Sequence, residues 1–289
     1  MEYEKFEYRD GGETFVRCIE GIEKMHENCS NNSKKSTAKL DLMSYGESSK
    51  ERHRLLRDYL KFVHILYETK YAQLTGALIN SVNNDQFLVF AFCGRALIET
   101  AAIQRYYLLK ALPIIDEAAT TGFITVEQIN KQIGLLDKHV HGGRFNWAEW
   151  FYGDRPEMFK RAAEKRRLEK SGSKRRMKGS EPAKITPDQV NVQTAIDHWA
   201  KETPEVVATY DYFCELVHPN VGNNFLVMGS NKKELTVGGS IRSAFARPLV
   251  DEGLKLLAAV VLRTALKFLA LWVLYSDVGD PKPYDPKTH

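Results

Sequence analysis

Apolar residues recur along this chain at helical spacing from one end to the other, broken by short polar stretches. Phe15, Ile19, Ile22 and Met25 predict a helix over 13–28, and the Ser-, Asn- and Lys-rich stretch 31–50 reads as a loop. Ser48 and Ser49 precede a long helix over 50–79, with Leu55, Leu56, Tyr59, Phe62, Val63, Leu66 and Tyr67 in one stripe. Residues 80–85, Asn-Ser-Val-Asn-Asn-Asp, break that pattern before an almost wholly apolar helix begins at Phe87. Pro113 is expected to end or kink this helix near Leu112. Thr125 and Gln128 stand at capping-box spacing, which predicts a shorter helix to Lys138. After it, 139–147 reads as a glycine-containing loop, and Pro156 opens a further helix with a basic end.

The second half repeats the theme. Stretches 171–180 and 181–187 have linker composition. Helices follow over 190–201 and 204–217, the latter stopping at His218 because Pro219 disfavours helical torsions in the residue before it. Residues 225–239 are expected to form a short hairpin, 222–224 a tight turn, and 248–275 a last apolar helix packed beside the central one. The fold class expected is therefore all-α, a multi-helix bundle with one short β-hairpin and a basic loop insertion. Its organisation divides into 1–50 (helix and polar loop), 51–159 (first half of the bundle), 160–189 (basic insertion), 190–276 (second half) and 277–289 (extended tail). No internal repeat is visible.

The stretch 87–107 is the expected centre, because apolar residues lie on every side of its wheel. Arg95 and Glu99 sit within it, one turn apart on a face that otherwise reads Leu88, Phe92, Ala102 and Tyr106. A buried charge pair is costly unless other groups complete its hydrogen bonds, so the pair asks for partners elsewhere.

Composition narrows the class. With 289 residues, 43% hydrophobic and 27% charged, the chain can bury a sizeable core. Its net charge of +4 is unevenly spread: 160–178 holds ten Lys/Arg against two Glu, so the remainder is acidic. Cys18, Cys29, Cys93 and Cys214 show no CxxC spacing, and Cys93 and Cys214, in apolar runs, read as reduced core thiols, which with the charged, signal-free N-terminus points to the cytoplasm. The membrane candidate considered, 249–275, is interrupted by Arg263 and Lys267 and reads as a buried helix, so no membrane partner is expected.

Four groups of residues could carry chemistry. Arg95 either belongs to a structural ion pair with Glu99 or presents its guanidinium fork to a phosphate or carboxylate. His218 at a helix C-terminus, followed by Pro219 and Asn220, is either a capping residue or a proton donor whose cationic form the helix end favours. His139 and His141 would share a face only on an extended segment, and no other ligand spacing supports a metal, so no metal or cofactor is expected. Arg144 beside Phe145 and Trp147 reads as a lip facing an anion. The basic window, with Arg166, Arg167, Arg175 and Arg176, is a solvated loop or a nonspecific attractor of RNA or another polyanion. No Walker loop, GxGxxG, HExxH or GxSxG is present.

The Arg95-x-x-x-Glu99 pattern on a central helix, with the later Cys214-Glu-Leu-Val-His-Pro-Asn-Val-Gly222 at a helix end, resembles the HEPN-like superfamily, and more narrowly its bacterial, phage-defence-associated members. The resemblance implies a helical bundle that often dimerises and, in active members, a metal-independent endoribonuclease. That family's signature is an Arg, four to six residues, and a His. Asp211, Tyr212 and Phe213 occupy the positions where the Arg would precede His218. Arg57 and His64 do match the spacing and form a reserve pair. Two functions stay open at this point. One is a ribonuclease toxin or abortive-infection effector using Arg95, His218, Glu99 and Asn220, with RNA as substrate, a homodimeric state and a regulatory protein or antitoxin as partner. The other is a non-catalytic sensor or scaffold built on the same bundle.

Overall fold

The computed structural model describes residues 4–7, 9, 12–40, 45–121, 123–141, 153–170, 191–219, 221–230, 235–237, 246–269 and 282–283. Among them the chain is mostly helical: α1 Gly12–Lys35, α2 Ser49–Asn83, α3 Phe87–Thr121, α4 Val126–His141, α5 Arg155–Lys170, α6 Val192–Ala200, α7 Glu205–Val217, α8 Val221–Phe225 and α9 Ala246–Leu257. Two compact units emerge, one of 1–136 with 191–289 and a smaller one of 137–190.

Local chemistry explains most boundaries. Ser48 Oγ accepts from the Glu51 amide at 3.3 Å and starts α2. At its other end the Asn84 amide donates to the Asn80 carbonyl at 3.1 Å, and Asp85, at φ 54°, turns the chain into α3. The capping box before α4 is present in both directions: Thr125 N donates to Gln128 Oε1 (2.9 Å) and Gln128 N to Thr125 Oγ1 (3.2 Å). His218 ends α7 with φ −70° and ψ 143°, the extended conformation that Pro219 requires.

Several expectations are corrected. α1 continues to Lys35 instead of stopping at Asn28, because Cys29 and Ser30 are buried and Asn32 Nδ2 donates to the buried Glu68 of α2 at 2.7 Å. α3 runs through Pro113 to Thr121, and beside the proline Gln132 of α4 donates to the Ala111 carbonyl at 3.0 Å. Helix α4 extends to His141, which removes the extended backbone that a shared His139/His141 face needs. The tight turn expected at 222–224 is the short helix α8. The last helix contains a π-helical turn, Ala258–Leu262, and is described as far as Leu269; its expected remainder to 275 lies outside the described residues. Met228–Ser230 lies antiparallel to Leu235–Val237, but 231–234, the turn of the expected hairpin, lies outside them too.

Helix α3 is central in the larger unit. It packs against α2, α6, α7, α9 and the π-helical turn, while α1 covers α2 and α9. Phe90, Ala91, Ile98, Ala101, Ala102, Leu108 and Ala111 are wholly buried along it. Its stretch Phe87–Ile114 is also long and apolar enough to cross a membrane by length and composition, whereas the candidate expected from sequence was 249–275. In the smaller unit, α5 is capped by Asp154, whose Oδ1 accepts from the Glu157 amide at 3.1 Å, and Phe159 on it is 54% exposed.

Among the described glycines, the least room for a side chain is at Gly94 of α3. A Cβ there would sit 2.0 Å from Phe213 of α7, and one at Gly253 of α9 would sit 2.8 Å from Phe90 and 3.2 Å from Phe213. Phe90 and Phe213 pack at a centroid distance of 5.8 Å. Gly94→Ala is expected to lower stability by about 1–3 kcal/mol through overpacking, and Gly253→Ala by less. Gly134→Ala, with nothing within 4 Å of its Cβ in α4, is expected to raise stability by about 0.5–1 kcal/mol. Urea midpoints at constant slope test all three.

Candidate functional site

Phe213 lodges against Gly94, and this brings the preceding turn of α7 onto the neighbouring residue of α3. Tyr210 consequently meets the Arg95–Glu99 pair. Arg95 Nε donates to Glu99 Oε1 at 2.8 Å, the Tyr210 hydroxyl donates to the same oxygen at 3.1 Å, and Arg95 Nη2 donates to the hydroxyl at 3.4 Å. The guanidinium carbon also lies 5.7 Å from the Tyr210 ring centroid. The partner that the charge pair required is therefore a phenol from α7. The pair is half-buried rather than enclosed, each side chain keeping 29% exposure, so the guanidinium remains reachable from solvent.

Electrostatics follow this geometry. Burial works against the Arg95 charge, and the hydrogen bond and charge of Glu99 outweigh it, holding the guanidinium above its ordinary value. Burial, reinforced by the Glu99 charge, pushes the Tyr210 phenol up to about 12, so it stays a hydroxyl at every physiological pH. Burial also raises the Cys214 thiol, against the opposing pull of Arg95 and a hydrogen bond with Tyr210, which makes it a poor thiolate nucleophile near neutrality.

Tyr210, Cys214 and His218 recur at four-residue spacing, so they run along one side of α7 toward its C-terminal end. His218 is exposed there, its amide donating to the Cys214 carbonyl at 2.9 Å. Among the described residues no hydrogen bond or ion pair joins its imidazole to Arg95 or Glu99. Asn220 lies outside the described residues, while Asn223 Nδ2 caps the helix end by donating to the Leu216 carbonyl at 2.9 Å.

The other candidates are more dispersed. Arg57 is exposed on α2; His64, two turns on, places Nε2 3.3 Å from Glu68 Oε1. His139 is half-buried on α4, and Arg144, Arg175 and Arg176 lie outside the described residues. Arg167 is exposed on α5, the helix that also carries Arg166. Among the described residues no group of three or more His, Cys, Asp or Glu is placed to hold a metal ion.

Sequence reasoning passed over the arginine that is truly buried. Arg105, also on α3, is 2% exposed, with Nη2 2.5 Å from Glu202 Oε1 and Nη1 donating to His198 Nδ1 at 3.1 Å. It lies ten residues after Arg95 in the same apolar stretch, and thus on a different side of the helix. The signal that identifies it is the pair His198 and Glu202 at i, i+4 around the end of the Trp199-containing helix.

Compared with family models, with curated proteins and with solved structures, the chain matches none.

Tyr210→Phe removes one donor and one acceptor from the Arg95–Glu99 cluster and is expected to cost about 0.5–1.5 kcal/mol in urea denaturation. A second expectation concerns acid. Burial, then the charges of Arg105, Lys201 and Lys110, hold His198 below its ordinary value of 6.5 against the pull of Glu202. The close approach of the Arg105 guanidinium lowers Glu202 below 4.5, against the effect of burial. In both groups the unfolded chain takes up protons first. Stability is thus fully present above the unfolded values and lost as pH falls through the folded ones, first for His198 below about 6.5 and then for Glu202 below about 4.5. His198→Gln should flatten the decline in urea midpoint between about pH 7 and pH 5; an unchanged slope would assign that decline to other histidines.

Proposed function

We propose that the chain is a HEPN-like, metal-independent endoribonuclease, acting as a toxin or abortive-infection effector. The observation that carries this reading is the Tyr210 bridge. It ties the helix bearing His218 alongside the helix bearing Arg95, and leaves the Arg95 guanidinium part-exposed with donor capacity to spare.

In this reading Arg95 holds the scissile phosphate, and Glu99 and Tyr210 fix the orientation of its fork. His218 transfers protons: as base it takes the proton of the 2′-hydroxyl, whose oxygen attacks phosphorus, and as acid it protonates the departing 5′-oxygen. The products are a 2′,3′-cyclic phosphate and a free 5′-hydroxyl, so the step needs no further reactant. Asn220 supplies a donor and an acceptor beside the imidazole. RNA is the substrate, the basic residues of the smaller unit gather it, and a homodimeric state and a controlling protein partner belong to the same reading.

A second reading is favoured by one specific observation, that Arg95 finds Glu99 and Tyr210 within its own chain and makes no bond to His218 among the described residues. The cluster then serves only to lock α3 to α7, in a sensor or scaffold.

Purified protein incubated with total RNA in the presence of a chelator separates the two. Cleavage yielding 5′-hydroxyl ends, reduced about 10²–10⁴-fold by His218→Ala and strongly by Arg95→Ala, supports the enzyme. Absence of cleavage, or cleavage indifferent to both substitutions in variants that melt like the parent, leaves the scaffold.

A further inference from the structure

The charged cluster around Arg105 has no part in the activity proposed above, and its chemistry points elsewhere. A guanidinium that is 2% exposed has surrendered its water and must face an anion at all times. The anion it faces is Glu202, whose own side chain is 63% exposed and stands past the end of α6 on the turn that follows Lys201. The contact is close but imperfect. Nη2 lies 2.5 Å from the carboxylate, yet among the described residues it meets no acceptor at hydrogen-bonding angles.

His198 completes the arrangement. Arginine has no acceptor, so the His198 Nδ1 that receives Nη1 must present its lone pair, and the neutral ring then carries its proton on Nε2. Nε2 is thus a donor, as every guanidinium nitrogen is. Tyr106 stands edge-on to this ring at 5.8 Å, and Lys110 Nζ sits over the Tyr106 ring, 4.2 Å from its centroid. The charges acting on His198 and Glu202 are Arg105 and Lys110 from α3, Lys201 after α6 and Lys267 from the last helix. Of these, Arg105 and Lys267 act on the Glu202 carboxylate, while Arg105, Lys201 and Lys110 act on the neighbouring His198. One monoanion under-neutralises such a cluster, whereas a phosphoryl group carrying up to two charges and three oxygens matches both its charge and its fork.

We infer that Arg105, His198, Lys110 and Lys201 form a binding site for a phosphoryl group, in which the Glu202 carboxylate is an internal stand-in that the ligand displaces. Swinging Glu202 away returns an already exposed side chain to water and costs little, while the entering oxyanion keeps Arg105 paired. The site stands apart from Arg95 and His218, so it holds whether or not the chain cleaves RNA.

Glu202→Gln tests it directly. The full-length variant should melt below the wild type in chloride. When inorganic phosphate replaces chloride at constant ionic strength, it should gain about 3 °C or more at tens of millimolar phosphate, with a smaller gain for the wild type, where the carboxylate competes. Arg105→Met in the Glu202→Gln background should abolish the response. If that double variant does not fold, Lys110→Gln with Lys201→Gln, both at exposed positions, should weaken the half-saturating phosphate concentration several-fold in a folded protein. A Glu202→Gln response no larger than the wild-type one, or one that survives loss of both lysines unchanged, overturns the site. Parallel titrations with adenosine 5′-monophosphate and with a short single-stranded RNA distinguish the two sources of the group. A tighter response to the mononucleotide identifies a small phosphorylated ligand, and a tighter response to the oligonucleotide identifies an RNA backbone.

Discussion

The geometry of the larger unit turns on one steric contact, the Phe213 ring seated where a side chain at Gly94 would stand. Because Gly94 has no Cβ, α7 comes within van der Waals reach of the α3 backbone, and Gly253 of α9 makes room for the same pair of rings from a third side. Packing of this kind is tightly bounded, since interiors approach crystal density and a single added methyl must displace something. The contact also has a polar consequence. With Phe213 fixed, Tyr210 one turn earlier has its hydroxyl delivered to Glu99, and the ion pair on α3 gains a bond that its own helix cannot supply. The apolar fit and the polar cluster are thus two results of one helix crossing.

Helix α3 tolerates its charges because each is handled differently along its length. Arg95 stays at a half-exposed edge and takes its anion from its own helix at i+4. Arg105 goes fully inside and takes its anion from the turn after α6. A fully apolar α3 would pack as well, and replacing buried ion pairs by hydrophobic residues is often neutral or stabilising. The presence of two arginines in such a helix is therefore poorly explained by stability alone, which is the physical ground for seeking ligands at both.

The fold was largely legible because its signals are local. Phe15, Ile19, Ile22 and Met25 predicted the buried face of α1, Thr125 and Gln128 predicted a cap that forms, and Pro219 predicted where α7 ends. The failures arose where tertiary partners override local preference. Asn32 reads as a loop former until Glu68 accepts its amide, and of the two expectations at Pro113, a helix end or a kink, the end is excluded because α3 continues past it, with α4 cross-linked at the adjacent turn. At the site, the Arg95–Glu99 pairing was legible from spacing, but Tyr210 was not, because nothing local reveals which residue of a distant helix will face a given turn. Arg105 was overlooked since its partners are almost a hundred positions away. Neither a propensity nor a cap marks it, only the coincidence of His198 near the end of α6 and Glu202 on the turn that follows.

The two arginines differ in how readily an external anion can reach them, and the difference lies in the tether of the resident carboxylate. Glu99 is rooted in the middle of a rigid helix and held by two donors, so a ligand at Arg95 must add to the pair rather than replace it; the 29% exposure of the guanidinium permits that. Glu202 is rooted in a turn, most of its side chain is in water, and its bond to Arg105 is poorly aligned, so replacement is the cheaper course there. Addition at one site and exchange at the other predict different ligand preferences. An added ligand meets a cluster already neutralised by Glu99 and is bound by directional hydrogen bonds. An exchanged ligand must supply the whole counter-charge of Arg105 where Lys267 also acts on the Glu202 position and Lys110 and Lys201 act on the adjoining His198, and charge then dominates its selection.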